Sequence, residues 1–332
     1  MSEEAVERTL SEWGSRLLYP GVRRCGRPGA DPTTFRNRLD ARAVRAGLKA
    51  VVRRYPEVMV KVTGGGRGMG AVKAHMLYIC RGGGLDMETD DGDVIRGREE
   101  VTDLVWEWQH SGAYVPAESH RREAFHLMLS MPPDTNSQAV LWAAREFAAG
   151  EFVRFKYAMV LHEPEADPKS HRPHVHLIVR AQGADGQRLN PRKADLARWR
   201  QLFADRLMER GVAACATKRQ TRGILQPPKT LLDHHVGGLE RKAWPIRPGQ
   251  QALETERSVI EGWREVVSAL ARSARPEDRA LAQEAAEFVK GMPSVRRKFS
   301  QRDRAALSRE RPVAARQPRA ARQHDRSRGP ER

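Results

Sequence analysis

Apolar residues alternate with other residues in two neighbouring segments, and this pattern constrains the fold more than any other feature of the sequence. The segments 154–162 (RFKYAMVLH) and 173–180 (PHVHLIVR) have the period of half-buried strands and lie close enough in the chain to pair as a hairpin. Two further strand patterns, at 57–63 and 125–131, are separated by segments with helical periodicity. Strands interleaved with helices in this way predict an α+β domain built on a mostly antiparallel sheet.

Helical periodicity and capping residues predict the positions of the helices. Two N-terminal helices are predicted at 1–17 and 38–54, and a third at 71–81, where it stops at three glycines. Asp134 is predicted to cap a further helix, and Asn190 to cap another.

The chain is strongly basic, which favours a polyanionic partner. Its 59 Lys and Arg residues against 42 Asp and Glu residues give a formal net charge of +17, a value typical of proteins that bind nucleic acid. The segment 296–332 is especially rich in arginine. A solvated basic tail explains much of this charge equally well, so charge by itself leaves the partner open.

Simpler features exclude several classes of protein. No apolar run approaches the roughly 18 residues of a membrane span, so no membrane insertion is expected. The first residues lack the basic and apolar regions of a secretory signal. The cysteines, Cys25, Cys80 and Cys215, are odd in number and scattered, which predicts no disulfide framework and fits the reducing cytoplasm.

Three histidines are candidate metal ligands. Side chains alternate along a strand, so His174 and His176 project from one face, and pairing of the two strands brings His162 beside them. Three converging imidazoles form a nitrogen donor set for a divalent ion and leave positions open for water or phosphate oxygen. Two polar residues on a solvated strand give the same His-x-His pattern, and His171 in the neighbouring loop is a weaker competitor for the third ligand.

Phosphodiester chemistry at such a site needs a nucleophile, and Tyr78 is the candidate among the five tyrosines. It lies in the predicted third helix between Gly-rich loops, with His75 one turn before it. A phenol has a pKa of about 10, so a nearby cation must favour the phenolate. The cations available in this region are Arg67, Lys73 and Arg81. A tyrosine at the edge of an amphipathic core has the same helical spacing, and this alternative stays open.

Several stretches of sequence, taken in order, carry a resemblance that covers roughly 57–225. They are VKVTGGGRGMGAVKAHMLYICRGGGLDM, LMLSMPPDTNSQAVLWAAREFA, YAMVLHEP followed by HRPHVHLIVR, and RLNPRKADLARWRQLFADRLMERGV followed by ATKRQTRGI. These stretches resemble the relaxases of conjugative and mobilisable DNA, in particular the P-type (MOB-P) class that includes the T-DNA border endonuclease. The resemblance implies a nuclease of the HUH type, named for two histidines flanking a hydrophobic residue, and a sheet of about five antiparallel strands flanked by helices.

The resemblance also implies roles for individual residues. Tyr78 would be the nucleophile, and the three candidate ligands would hold a divalent metal, Mg²⁺ or Mn²⁺ with Zn²⁺ as an alternative. Ser130 would contact the DNA backbone, although a hydroxyl that only caps the strand end is an equal alternative. The basic residues near the tyrosine are expected to bind DNA: Arg67, Lys73 and Arg81.

The activity implied is site- and strand-specific nicking at an origin of transfer, through a 5′-phosphotyrosyl adduct that later allows strand transfer and religation.

One position departs from the family pattern. The family commonly has an Asp two residues after the first histidine, and this chain has Pro164 there. An acid in the following loop is expected to orient a histidine instead, and the candidates are Glu163, Glu165 and Asp167.

We expect four regions: a helical extension (1–56), the nuclease domain (57–225), a helical region (226–292) and a disordered Arg-rich tail (293–332). The implied partners are single-stranded or locally melted origin DNA, an accessory origin-binding protein and a type IV coupling protein. The implied location is the cytoplasm, with transfer into recipient cells on the DNA. The tail serves either as a signal for the coupling protein or as a nonspecific DNA tether.

Other classes of protein share parts of this pattern. A rolling-circle replication initiator or a transposase of the HUH type usually has its tyrosine after the histidine motif, whereas Tyr78 precedes it here. A barrel-type metal hydrolase also begins with His-x-His, but too few residues follow His176 to complete a barrel. A noncatalytic DNA-binding protein, whose histidines only stabilise a hairpin, remains open.

Overall fold

The computed structural model describes residues 2–18, 41–165, 170–224 and 249–296. Its centre is an open six-stranded sheet in which neighbouring strands are antiparallel. In chain order the strands are β1 (Met59–Gly64), β2 (Met87–Thr89), β3 (Val94–Ile95), β4 (Ala124–Ser130), β5 (Tyr157–His162) and β6 (His174–Arg180). Their order across the sheet is β1-β4-β6-β5-β2-β3, so the predicted β5–β6 hairpin lies at its centre.

Helices cover both faces of this sheet and form a further layer. They are α1 (Glu3–Thr9), α2 (Ser15–Leu18), α3 (Ala41–Val52), α4 (Met69–Ile79), α5 (Gly97–His110), α6 (Ser137–Glu151), α7 (Lys193–Glu209), α8 (Gln250–Ala271) and α9 (Pro276–Lys290). A π-helical segment, Leu10–Gly14, joins α1 to α2, and 3₁₀ turns lie at Arg81–Gly83 and Arg219–Arg222. Within the described ranges, no helix combines the length and apolarity that a bilayer crossing requires.

The two faces of the sheet belong to different hydrophobic cores, as the alternation predicts. Val175, Leu177 and Val179 of β6 face α6 and α7 in the larger core. The residue between the last two, Ile178, faces the opposite way and joins the core formed with α4 and α5. The histidines of β6 share the face of Ile178 because alternate residues point to the same side. The site therefore lies on the face covered by α4 and α5.

The helices from the two ends of the described chain share a third core. Trp263 of α8 is fully buried there and donates its indole N–H to the carbonyl oxygen of Thr221 at 2.8 Å. Arg45 of α3 forms a two-point ion pair with the buried carboxylate of Asp278 in α9, at 2.7 and 2.8 Å. The N-terminal helices and the C-terminal helices thus pack on each other in one helical layer.

The α+β class and the antiparallel sheet are as predicted, but the sheet has six strands instead of five. The additional hairpin is formed by β2 and β3, which have three and two residues and are too short to show alternation. Two predicted caps are wrong. The cap of α6 is Asn136, whose side chain accepts from the backbone N–H of Ala139, while Asp134 adopts a left-handed conformation before it. Helix α7 begins at Lys193 with Arg192 as its cap, so Asn190 lies outside it.

Candidate metal centre and nucleophile helix

Three histidines meet on one face of the two central strands. His162 ends β5 directly opposite His174 of β6, and His176 lies two residues further along on the same face. Each residue offers a ring nitrogen, and these three atoms all lie within 4.8 Å of one another. The first two side chains are buried and the third is half-buried. The pairing expected from the sequence therefore brings together the three residues that it singled out, whereas His171 is exposed and lies outside the cluster.

Backbone carbonyls orient two of these rings. Nε2 of His162 lies 2.7 Å from the carbonyl oxygen of Ile79, and Nδ1 of His174 lies 2.9 Å from that of Arg172. A carbonyl oxygen only accepts hydrogen bonds, so we assign a proton to each of these two nitrogens. In this tautomer the second nitrogen of each ring is the unprotonated one, which is the form in which an imidazole nitrogen binds a metal ion. A set of imidazole nitrogens fixed in this way fits a divalent transition ion.

The acidic residues that were expected to orient a histidine are Glu163, Glu165 and Asp167, and the structure describes the first two of them. Glu163 accepts a hydrogen bond from the side-chain amide of Gln138 at 3.4 Å. Glu165 is exposed, and Asp167 lies outside the described residues. Main-chain carbonyls therefore perform, for two of the rings, the orienting function that the sequence suggested for a carboxylate.

Tyr78 lies on the helix that covers the face with the three histidines. Its helix, α4, packs on this face through its buried residues, which include Met76 and Ile79. The Tyr78 side chain itself is 62% exposed, so it contributes little to the core. Because Ile79 accepts the hydrogen bond from His162, the last turn of α4 is attached to the histidine cluster one residue after the tyrosine.

The first turn of α4 is held from the other side by the loop before β4. The backbone N–H groups of Met69 and Gly70 donate to the carbonyl oxygens of Pro116 and Ala117, both at 2.9 Å. Gly68, which precedes the helix, has φ 85°, and a Cβ there would collide with the carbonyl of Ala117. Both ends of the tyrosine helix are thus fixed by hydrogen bonds to other elements.

A second pair of histidines lies beside the cluster. His75 of α4 and His126 of β4 stack with their ring centroids 3.6 Å apart and their planes at 5°. The centroid of His75 also lies 6.1 Å from that of Tyr78 and 6.4 Å from that of His176. Burial lowers the pKa of both stacked rings, and that of His126 falls to about 4, with His75 and Arg122 as smaller causes. Both rings are therefore neutral at pH 7.

The low pKa of His126 makes the stability of the fold depend on pH. The unfolded chain binds a proton at this position near pH 6.5 and the folded protein only near pH 4, so acid favours unfolding. We expect the free energy of unfolding to fall by about 2–3 kcal/mol between these pH values because of this residue. Urea unfolding of wild type and of His126→Phe at pH 7.5 and 4.5 measures this change. The free energy of unfolding should fall less in the variant than in wild type.

The matched control for that measurement is His120→Phe, because His120 is exposed. Its loss of stability between the two pH values should equal that of wild type. An equal loss in His126→Phe and wild type would contradict the prediction.

The basic residues named from the sequence have different exposures. Arg67 and Arg81 are exposed and Lys73 is half-buried, all on or next to α4. A further basic residue, Lys61, is exposed on β1 and was not predicted from the sequence. Lys61 pairs with Met128, and Met128 pairs with His176, so these three side chains form a row across the face that carries the cluster. The alternation of β1 shows which residues share a face with Lys61. Only the register between β1, β4 and β6 shows that this face is the one with the histidines.

Ser130 lies at the end of β4, opposite His174. Its side chain is 2% exposed, and its hydroxyl donates toward the carbonyl oxygen of Pro173 at 3.2 Å. The hydroxyl thus links β4 to the residue before His174, which matches the strand-end alternative more closely than an open DNA contact.

Residues 85–212 match the family model described as "Relaxase: MobA/VirD2-like, nuclease domain". The matched segment contains His162, His174 and His176, whereas Tyr78 precedes it. The segment that carries the three histidines is therefore similar to the nuclease domains of MobA/VirD2-like relaxases.

One curated relative has a name that fits this class. The chain is 24% identical over 198 residues to the T-DNA border endonuclease VirD2 of Rhizobium radiobacter. The match covers 54% of this chain and 46% of that protein, so the chain spans about half the length of the curated relative it matches.

Proposed function

We propose that the protein is a DNA relaxase that nicks one strand at an origin of transfer by transesterification. The oxygen of Tyr78 attacks the scissile phosphorus, the bond to the 3′ oxygen breaks, and the 5′ phosphate becomes esterified to the tyrosine. The phenol proton leaves and the 3′ oxygen gains a proton. Because the phosphotyrosyl ester conserves the bond, the reverse reaction can join the ends again.

The observation that carries the proposal is the hydrogen bond between His162 and the carbonyl oxygen of Ile79, at 2.7 Å. It joins the histidine cluster to the turn that presents an exposed phenol. A nucleophile and a candidate phosphate-binding centre are thus held by one contact, on the same face of the sheet. A noncatalytic hairpin would not require an exposed tyrosine at this position.

The three clustered histidines are the proposed ligands of a divalent ion, Mg²⁺, Mn²⁺ or Zn²⁺. When bound, the ion supplies positive charge that offsets the charge developing on the scissile phosphate. The carbonyls of Ile79 and Arg172 keep His162 and His174 in the tautomers that leave a lone pair for it.

DNA is proposed to cross the face along the row that starts at Lys61. Lys61 is exposed on that row and can contact phosphates, as can Arg67, Lys73 and Arg81 on or next to α4. Such contacts release counterions, so binding should weaken steeply with salt. Ser130, being buried, is proposed to support the strand of His174.

The further partners follow from the proposed reaction. An accessory protein would expose the nick site, and a type IV coupling protein would receive the adduct for transfer out of the cytoplasm. The Arg-rich segment 293–332 is proposed either as the signal for that coupling protein or as a DNA tether. Residues 297–332 lie outside the described residues.

Trapping of a covalent adduct tests the proposal. The full chain is incubated with Mn²⁺, or with Mg²⁺ or Zn²⁺, and with single-stranded oligonucleotides that tile the DNA flanking its gene. A protein–DNA band that survives boiling in detergent is expected for one oligonucleotide. Binding without such a band for any oligonucleotide would favour a noncatalytic DNA-binding protein. A band whose nick lies in a replication origin would favour a rolling-circle initiator.

A further inference from the structure

Three aromatic rings form a stack that leads from the sheet to the proposed nucleophile. His126, on strand β4 between β1 and β6, is 8% exposed and lies at the base. His75 covers it with a nearly parallel ring, 3.6 Å away at 5°. Tyr78 follows at 6.1 Å and 23°, and its side chain is 62% exposed. The exposed phenol of Tyr78 is thus the outermost of three rings, and the innermost ring, that of His126, is buried in the fold.

The base of this stack is rigid. His126 pairs with Ile178 of β6, two residues from His176, within the same sheet that carries the metal candidates. Its buried Nε2 has no hydrogen-bond partner among the described residues, and its face is covered by the ring of His75. His75 also meets His176 edge to face, with ring centroids 6.4 Å apart and planes at 78°. His75 is therefore packed between a fixed ring of the sheet and the histidine cluster.

The geometry favours a steric role for His75. Nearly parallel rings meet through their faces, whereas the nitrogen lone pairs and N–H bonds of imidazole lie in the ring plane. His75 and Tyr78, with ring centroids 6.1 Å apart and planes at 23°, form an offset stack and not an edge-to-face pair. Without this surface, an exposed tyrosine would sample several staggered rotamers.

We propose that His75, supported by His126, is a positioning residue that holds the ring of Tyr78 beside the histidine cluster for attack. This inference rests on the proposed function, since it concerns the rate of adduct formation. Holding a nucleophile near its attack geometry accounts for large factors in rate, and a displacement of about 1 Å can cost roughly 100-fold.

The test compares variants that keep or remove a planar ring at position 75. Single-turnover adduct formation and oligonucleotide affinity are measured for wild type, His75→Ala, His75→Leu and His75→Phe. We expect Ala and Leu to slow adduct formation about 10–100-fold and to change the dissociation constant for the oligonucleotide less than about 2-fold. The Phe variant, which restores a ring on His126, should remain within about 3-fold of wild type.

Two outcomes would overturn the inference. Wild-type rates in His75→Ala and His75→Leu would show that Tyr78 needs no stacking partner. A rate in His75→Phe as low as in Ala would show that the imidazole acts through its nitrogens. If thermal unfolding shows that His75→Ala does not fold, the rates of His75→Leu and His75→Phe decide whether a planar ring is needed. Both of these side chains fill the space of the imidazole ring.

The control and the wild type separate this inference from the proposed function. His110→Ala removes another histidine that lies against aromatic rings, those of Trp106 on α5 and Tyr114 in the following loop, and should leave the rate unchanged. If wild type forms no adduct at all, the proposed function fails. If wild type and His75→Ala form it equally fast, only the role of His75 fails.

Discussion

Tyr78→Phe is expected to abolish the covalent protein–DNA adduct while leaving noncovalent DNA affinity within about 2-fold of wild type. The substitution removes one oxygen, and that oxygen is the proposed attacking atom. The ring remains, so its stacking with His75 at 6.1 Å is kept. The measurement is a denaturing gel with a labelled oligonucleotide and Mn²⁺, beside fluorescence anisotropy for binding.

The matched control for this variant is Tyr114→Phe. Tyr114 is also 62% exposed, and it lies in the loop after α5, where its hydroxyl accepts from the amide of Gln109. It should form the adduct at the wild-type rate. An adduct that persists in Tyr78→Phe would show that another residue carries the DNA, and loss of the adduct in Tyr114→Phe would point to that second tyrosine.

The histidine cluster was predictable because it follows from alternation within strands. His174 and His176 must share a face whatever the rest of the fold does. The position of His162 required one further assumption, that two adjacent strands pair as a hairpin, and the register with His162 opposite His174 confirms it. The burial of Tyr157 in the core opposite the cluster also follows from this alternation.

The surroundings of the cluster were not predictable in the same way. His126 contacts His75 because β4 lies beside β6 and α4 crosses that face, and neither fact is a local property of the sequence. The carbonyl of Ile79 carries no signal in the sequence, since every residue has a carbonyl. The group that orients His162 is therefore not among the acidic side chains that the sequence suggested for this function.

The shortest elements were missed for a different reason. Strands β2 and β3 have so few residues that no period can be recognised, and the pairing of β2 with β5 through Glu88 and Met159 is a tertiary contact. The packing of the N-terminal helices on α8 and α9 likewise depends on contacts such as Arg45 with Asp278, far apart in the chain. Amphipathic patterns predicted those helices but not their partners.

Loss of one histidine of the cluster should affect metal binding more than any surface substitution. We expect His174→Ala to lower the affinity for Mn²⁺ by roughly 100-fold or more, since losses of groups that only orient a ligand already cost about 10–100-fold. His174 is the best choice for this test because its ring is oriented by the carbonyl of Arg172, two residues before its own strand. Removing His162 would instead also break the contact with Ile79 and displace the tyrosine helix.

Titration calorimetry with Mn²⁺ alone measures this affinity without DNA or activity. His171→Ala is the matched control, because His171 lies three residues before His174, is exposed and stands outside the cluster. Its affinity should equal that of wild type. Equal affinities in His174→Ala and wild type would place the ion elsewhere, and a loss in His171→Ala would make that residue a ligand. Because His174 does not contact Tyr78 through the stack, its loss should weaken adduct formation only at Mn²⁺ concentrations that no longer fill the site.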